Sequence, residues 1–340
     1  MDRSERERGP GPPPAVAIVG ELNVDLILEQ VNDLPALEKE RIAEDMTFTM
    51  GSSSAILAAN AGALGVSVGF VGRVGNDTFG DYMRDNLAER GVDTDPILET
   101  SDAATGLTAI FTFQEERGML TYPGAMVELT IDDVPWDYLE QAQHLHLSSY
   151  YMQPGIRPDC PDLFRRAKEI GLSTSFDTNW DPDEEWGDDV LGVLDHVDVF
   201  LPNDEEARLI SGESDLDRAL SVLADRATTV VATCGTDGIR ARRGDDTFSL
   251  PALPVTPADA VGAGDSFNAG FLKQYVKNRP LEECLRYGML TAAFSTLAPG
   301  GTSAFDDLDA FKQFTHEHRQ YLAEGTIPES DFSTSVEARS

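Results

Sequence analysis

Between Asp259 and Leu272 the sequence reads D-A-V-G-A-G-D-S-F-N-A-G-F-L, two aspartates six apart around a run of very small residues. Gly262-Ala263-Gly264 precedes a helical pattern whose apolar face runs through Phe267, Phe271 and Tyr275. Glycine and alanine let a ligand approach the backbone closely, and the first N–H groups of a helix have no internal partner. With the helix dipole they form an anion site suited to a phosphoryl group. Asp265 falls in the first turn. It is either an ordinary helix-start acid or the acceptor of a proton from an attacking hydroxyl, because a carboxylate beside a phosphate site is costly without chemical work. The helix start alone leaves both readings open.

Other familiar patterns carry less. No G-x-x-x-x-G-K-[ST] occurs, and no lysine lies between Lys168 and Lys273, which excludes a P-loop enzyme. Gly65-Val-Ser67-Val-Gly69 spells G-x-S-x-G, but a nucleophile elbow joins a strand to a following helix, whereas Ser67 starts a strand after a helix. The histidines lack metal spacing, and Cys160, Cys234 and Cys284 form no C-x-x-C pair and read as buried free thiols. The acidic run 181–189 (DPDEEWGDD) reads as a solvated loop rather than a cation site.

The elements that must position this helix start alternate along the chain. Ala15 to Gly20 is a short apolar run ending in glycine, the mark of a buried parallel strand. Helical spacing covers Ser54–Leu64 and Thr78–Arg90, and strands are predicted at Val66–Val71, His144–Leu147, Leu172–Phe176, Val197–Leu201 and Val230–Thr233. Two long helices follow, about Ala263–Val276 and Leu281–Leu297. This repetition predicts an α/β fold with a parallel sheet covered by helices on both faces. Two stretches, Leu28–Met50 and Gly106–Tyr122, alternate instead as antiparallel strands and predict a small β-sheet lid. Residues 15–322 read as one domain, 1–14 as a disordered tail and 323–340 as a flexible one.

Sixty acidic residues against 26 basic ones give a net charge of −34, spread along the chain, with only five lysines. Such a surface repels nucleic acid and anionic membranes and fits a halophilic protein, in which salt screens the self-repulsion. No apolar run approaches the ~18–20 residues of a bilayer span, and the polar N-terminus lacks a signal-peptide core, so a cytoplasmic location is expected.

The opening stretch resembles the C-terminal signature D-T-x-G-A-G-D-x-F of the ribokinase-like (PfkB) carbohydrate kinases, with Ala260 in place of the usual threonine or proline. Four further motifs follow the family's order: Gly20-Glu-Leu-Asn23-Val-Asp25, Gly51-Ser52-Ser53-Ser54-Ala55, Asn203-Asp-Glu-Glu206 and Thr233-Cys-Gly235-Thr-Asp-Gly238. Phe70 to Gly80 and Tyr122 to Ala125 are also similar to family segments, and the resemblance covers about residues 16–320. It implies a three-layer α/β/α sandwich with the lid, and ATP-dependent phosphorylation of a sugar or sugar acid. It implies a catalytic base at Asp265 and an anion hole on the backbone of Gly262, Ala263 and Gly264. Asn23, Asp25, Gly51, Ser52 and Ser53 would meet the sugar; Asn203, Thr233, Gly235, Gly238 and Gly264 would meet ATP. Asn203 and Glu206 would serve Mg2+, largely through water, and Asp259 a monovalent cation such as K+.

Departures bear on the substrate. Ser52 and Ile56 stand where ribokinase-type enzymes carry glycine and asparagine, which points away from ribose, and Met289 replaces an asparagine near the adenine. No basic cluster marks a sugar phosphate; Arg73 and Arg117 are the nearest candidates. The rival readings are a nucleoside kinase of the same fold and a non-catalytic sugar-binding regulatory protein. A dinucleotide-dependent oxidoreductase lacks its G-x-G-x-x-G after the first strand. Lid strands that are partly apolar on both faces predict a homodimer with lids packed together, with a monomer as the alternative.

Overall fold

The computed structural model describes residues 13–31, 33, 37–113, 116–187 and 189–323. The expected tails lie outside these, apart from residues 13, 14 and 323. The strands in chain order are β1 (Val16–Val19), β2 (Asn23–Glu29), β3 (Asp45–Met50), β4 (Val68–Gly75), β5 (Ile97–Thr100), β6 (Gly106–Phe113) and β7 (Glu116–Tyr122). They continue as β8 (His144–Leu147), β9 (Ser173–Phe176), β10 (Val199–Phe200), β11 (Thr229–Thr233), β12 (Ile239–Arg243) and β13 (Asp246–Leu250). Among the described residues they form a nine-stranded sheet in the order β13-β12-β11-β10-β9-β8-β1-β4-β5 and a four-stranded one in the order β3-β2-β6-β7.

Side-chain alternation on each buried strand builds two cores. On β1, Val16 and Ile18 face one way and join Phe267, Phe271 and Leu285 of the helices Ala263–Tyr275 and Leu281–Ser295. Ala17 and Val19 face the other way, toward Leu163 and Phe164 of the helix Cys160–Glu169. Apolar side chains on both faces require helices on both, and the three-layer sandwich follows. The two long helices cross closely: a Cβ on Gly270 would lie 2.1 Å from Thr291 Oγ1 and one on Gly288 2.9 Å from the Phe267 ring.

Two features depart from the sequence reading. The strands from β5 to β11 along the large sheet run parallel as expected, but β12 and β13 extend it as an antiparallel hairpin through the turn at Gly244 (φ +56°). In the small sheet, β2 pairs with β3 and β6 with β7 antiparallel, whereas β2 and β6 run parallel, Asp25 opposite Thr108. β2 also starts at Asn23, so the sheet begins before residue 28 and carries Asn23 and Asp25 itself.

Candidate active site

The carboxyl ends of β9, β10 and β11 and the start of the helix Ala263–Tyr275 converge on one cavity, the usual place for a ligand in an α/β sheet. Asp177, Asn179, Leu201, Asn203, Glu206, Thr233, Gly264, Asp265 and Asn268 line it. Gly262 caps the helix at φ +69°, and a Cβ there would sit 2.6 Å from Gly301 Cα. Glycine is therefore required on conformation and on space. Gly264 differs: a Cβ would meet nothing within 4 Å, so its backbone borders open volume. Asp265, one residue on, accepts a hydrogen bond from the Ser53 hydroxyl at the start of the helix Ser53–Ala63.

The carboxylates here are held protonated to higher pH than usual. Burial lifts Asp265 well above the ordinary carboxylate range; the Ser53 bond opposes this, while Asp177, Glu21 and Glu206 add repulsion. Burial likewise pushes Asp177 up to about 6, against hydrogen bonds from the Asn179 backbone and from Asn268 Nδ2 at 2.8 Å. Glu206 is raised to about 8, by burial first and the Asp177 charge second. Asp25 is also lifted to about 6 by burial.

Carboxyl groups raised on folding make the folded chain bind more protons than the unfolded one between their two pKa values. Their contribution to stability is complete at low pH and is lost as pH rises through the raised values. From the values above, the window runs from about pH 4 to about pH 8. The melting temperature in nucleotide-free buffer at fixed salt is expected to fall across it, and Glu206→Gln to flatten the upper part. A profile that is flat in the native chain contradicts this assignment.

At the β2 end, away from the residues that line the cavity, Asn23 Nδ2 donates to Asp25 Oδ1 at 3.1 Å and to Thr108 Oγ1 at 3.0 Å, tying β2 to β6. Gly51 lies against this pair: a Cβ would be 2.1 Å from Asp25 Oδ1 and 2.9 Å from Asn23 Nδ2. Ser52 turns away. Its Oγ accepts the Ala55 N–H at 3.0 Å as a helix cap and donates to the Glu21 carbonyl at 2.6 Å. Ser53 alone of the three serines in the loop contacts Asp265.

At the other end, Asn203 and Glu206 form a reciprocal capping box on the helix Asp204–Ser211, each side chain accepting the other's backbone N–H at 2.8 Å. Asn203 Oδ1 is thereby committed, and its Nδ2 is the group left to meet an anion. Thr233 pairs with Asn203 across the strand ends. Gly235 (φ +53°) and Gly238 (φ +92°) shape the turn beyond it without lining the cavity, and a Cβ on Gly238 would strike the Leu250 carbonyl at 2.1 Å. Asp259 accepts the Val261 N–H at 3.0 Å and the Gly300 N–H at 2.9 Å, with the Arg117 guanidinium of β7 3.8 Å away. Arg73 is paired with Asp133 at 2.7 Å and Glu128 at 3.5 Å. In the acidic run, Asp181 turns inward and accepts the N–H groups of Asp183, Glu185 and Trp186.

Asp177, Asn179, Asn268 and Glu21 were not singled out from the sequence. Asp177 directly follows the strand predicted at Leu172–Phe176, and Asn268 lies three residues after Asp265 on the same helix face, so strand-end and helix-face arguments reach those two.

The model of the pfkB family of carbohydrate kinases matches residues 14–308. An uncharacterized sugar kinase of Archaeoglobus fulgidus is 29% identical over 231 residues, 68% of this chain and 91% of that protein. The ATP-dependent ribose-1-phosphate kinase of Halopiger xanaduensis is 28% identical over 305 residues, 89% of this chain and 98% of its own length. Among solved structures, Arabidopsis thaliana ribokinase complexed with ribose and ATP superposes with a TM-score of 0.78 at 21% identity, over 89% of this chain and 98% of that one. At that identity the likeness establishes the ribokinase-like fold. No helix among the described residues is long and apolar enough to cross a membrane.

Proposed function

The chain belongs to the pfkB family of carbohydrate kinases, phosphotransferases with an alcohol group as acceptor, and from that premise we propose that it moves the γ-phosphoryl of ATP to a hydroxyl of an unphosphorylated sugar or sugar acid, with Asp265 as base. The observation that carries the assignment is the position of Asp265: in the first turn of a glycine-capped helix, on the cavity, its carboxyl raised by burial and by neighbouring carboxylates. Once ionised, a raised carboxyl is the stronger proton acceptor, since base strength follows pKa. The backbone of Gly262, Ala263 and Gly264 stabilises charge on the transferring phosphoryl group, in the way any helix start favours an anion. Asp25 accepts hydrogen bonds from sugar hydroxyls, and Asn203 and Thr233 approach the phosphates of ATP.

Among the described residues no group of three or more His, Cys, Asp or Glu side chains could hold a metal by itself. That suits Mg2+, which keeps several waters and is bound mainly through nucleotide phosphates. Glu206 fits as a partner to its waters, because a cation relieves the repulsion from Asp177 that raises it. When bound, the ion neutralises charge on the phosphates. The same reading puts a monovalent cation at Asp259; equal rates in KCl and tetramethylammonium chloride at matched concentration would remove it.

Arg73, a candidate for a sugar phosphate, is neutralised by Asp133 and Glu128, which supports an unphosphorylated acceptor. The test is ADP release with Mg-ATP, in molar KCl to suit the acidic surface, over sugars, sugar acids, nucleosides and ribose 1-phosphate. Turnover confined to nucleosides or to the phosphorylated sugar overturns the substrate assignment, and silence throughout moves the chain to a non-catalytic sugar binder.

Two expectations attach to this reading. Gly51→Ala pushes a methyl group into Asp25 and is expected to raise the sugar KM by about 10–100-fold, the ~1–3 kcal/mol of a buried polar group left unpaired; an unchanged KM removes Asp25 from the sugar site. Met46, Leu120 and Tyr122 share one face of the small sheet and are each more than half exposed, an apolar face that supports a dimer through the lids. Sedimentation is expected to give twice the chain mass, and Leu120→Asp to return the monomer.

A further inference from the structure

Glu21 lies in the short link between β1 and β2 and is only 3% exposed. Its Oε1 accepts from the Ser54 N–H at 3.2 Å and the Ser149 hydroxyl at 2.7 Å, and lies 3.0 Å from the Ser52 hydroxyl, whose one proton is shared with the Glu21 carbonyl. Its Oε2 accepts from the Ser54 hydroxyl. Ser149 in turn accepts from Asn179 Nδ2 at 2.8 Å. One carboxylate thus ties together the loop before the helix Ser53–Ala63, the end of β8 and the end of β9. These segments are 31, 128 and, between Ser149 and Asn179, 30 residues apart in sequence.

The three segments share an unusual backbone. Ser52 (φ +69°), Ser149 (φ +56°) and Asn179 (φ +55°) are all left-handed, a region that non-glycine residues occupy at a cost and that persists where the surroundings over-determine it. Each of the three is held through the Glu21 network. They lead to the reacting region: Ser53, next to Ser52, donates to Asp265, Asn179 lines the cavity, and Ser149 reaches it through Asn179. A carboxylate is the side chain suited to the position, because it accepts on both oxygens and donates on neither.

We propose that Glu21 is a positioning residue for phosphoryl transfer, fixing three left-handed turns in one arrangement so that the acceptor loop, Asp265 and Asn179 meet the sugar in register. The proposal rests on the kinase reading for its effect on turnover, but not for its effect on the backbone. The test is Glu21→Gln, which keeps size and puts an amide donor where a hydroxyl now donates. Hydrogen exchange of the free protein is expected to quicken by about tenfold or more in peptides covering 51–55, 148–152 and 177–180 together, as each loses a hydrogen-bonded anchor. Exchange that is unchanged, or faster only in 51–55, overturns the proposal, whether or not the chain is a kinase. The sugar KM is expected to rise about tenfold with the ATP KM unchanged, a split that general loosening of the fold does not produce; equal rises in both overturn the positioning role. Wild-type turnover is the separate control on the kinase reading. Should Glu21→Gln fail to fold, Ser149→Ala cuts only the arm to Asn179. It must then quicken exchange in 177–180 while 51–55 stays protected, and a protected 177–180 overturns the proposal.

Discussion

Asp265→Asn is expected to lower sugar phosphorylation by about 10²–10⁴-fold, the usual contribution of a positioned base. Sugar and ATP binding should survive, because the asparagine oxygen can still accept the Ser53 hydroxyl. At pH values where Asp265 is ionised, nucleotide binding should even tighten, since the variant removes a negative charge from the helix start that the phosphates would share. Isothermal titration alongside initial rates separates the two effects. Full activity in Asp265→Asn would sink the assignment of the base. Loss of both binding and rate would point to a structural acid instead.

Gly262→Ala should be damaging for a different reason. The left-handed conformation costs an L residue about 1 kcal/mol, and a methyl 2.6 Å from Gly301 Cα cannot be accepted without moving backbone. Overpacking of this kind typically adds ~1–3 kcal/mol. The helix start is then displaced, and losing one preorganised donor to a developing charge typically costs about 10²–10³ in rate. Gly264→Ala is the informative companion. Its backbone is helical and its Cβ space is open, so alanine should stabilise the helix by ~0.5–1 kcal/mol while placing a methyl where the proposed mechanism brings phosphate. Melting temperature and turnover should therefore fall together in Gly262→Ala and part company in Gly264→Ala. A stable, active Gly262→Ala contradicts the cradle.

How much of this was legible in the sequence depended on the kind of physics involved. Continuous apolar runs such as Val16–Val19 and His144–Leu147 can be read because a strand covered on both faces has no polar positions to confuse the pattern. The helix start at Gly262 was legible because glycine at that place has few competing explanations. The hairpin β12–β13 was not found. Arg240, Arg242 and Arg243 make its first strand look like a solvated loop, although Gly244-Asp245 between two strands is itself a hairpin signal. The parallel pairing of β2 with β6 could not be read at all, since side-chain alternation has period two in either orientation. Glu21 escaped for a related reason. A lone acid between two apolar runs resembles any turn acid, and its partners are serines brought from distant parts of the chain.

Asp25 belongs to the small sheet, whose four strands pair only with one another among the described residues, whereas Asp265 stands on a helix of the large layer. On the proposed mechanism, the group that grips a sugar and the group that activates it are thus carried by different layers of the fold. On that mechanism, any state in which the two layers part would raise the measured dissociation constant of a sugar held by both to the intrinsic one divided by the fraction in which they face each other. A substitution that shifts this balance, far from any ligand, should scale the apparent affinity of every accepted sugar by one common factor. A substitution at Asp25 should instead change the ranking among sugars. The pattern across a panel of substrates, rather than the size of any single loss, distinguishes a changed grip from a changed population.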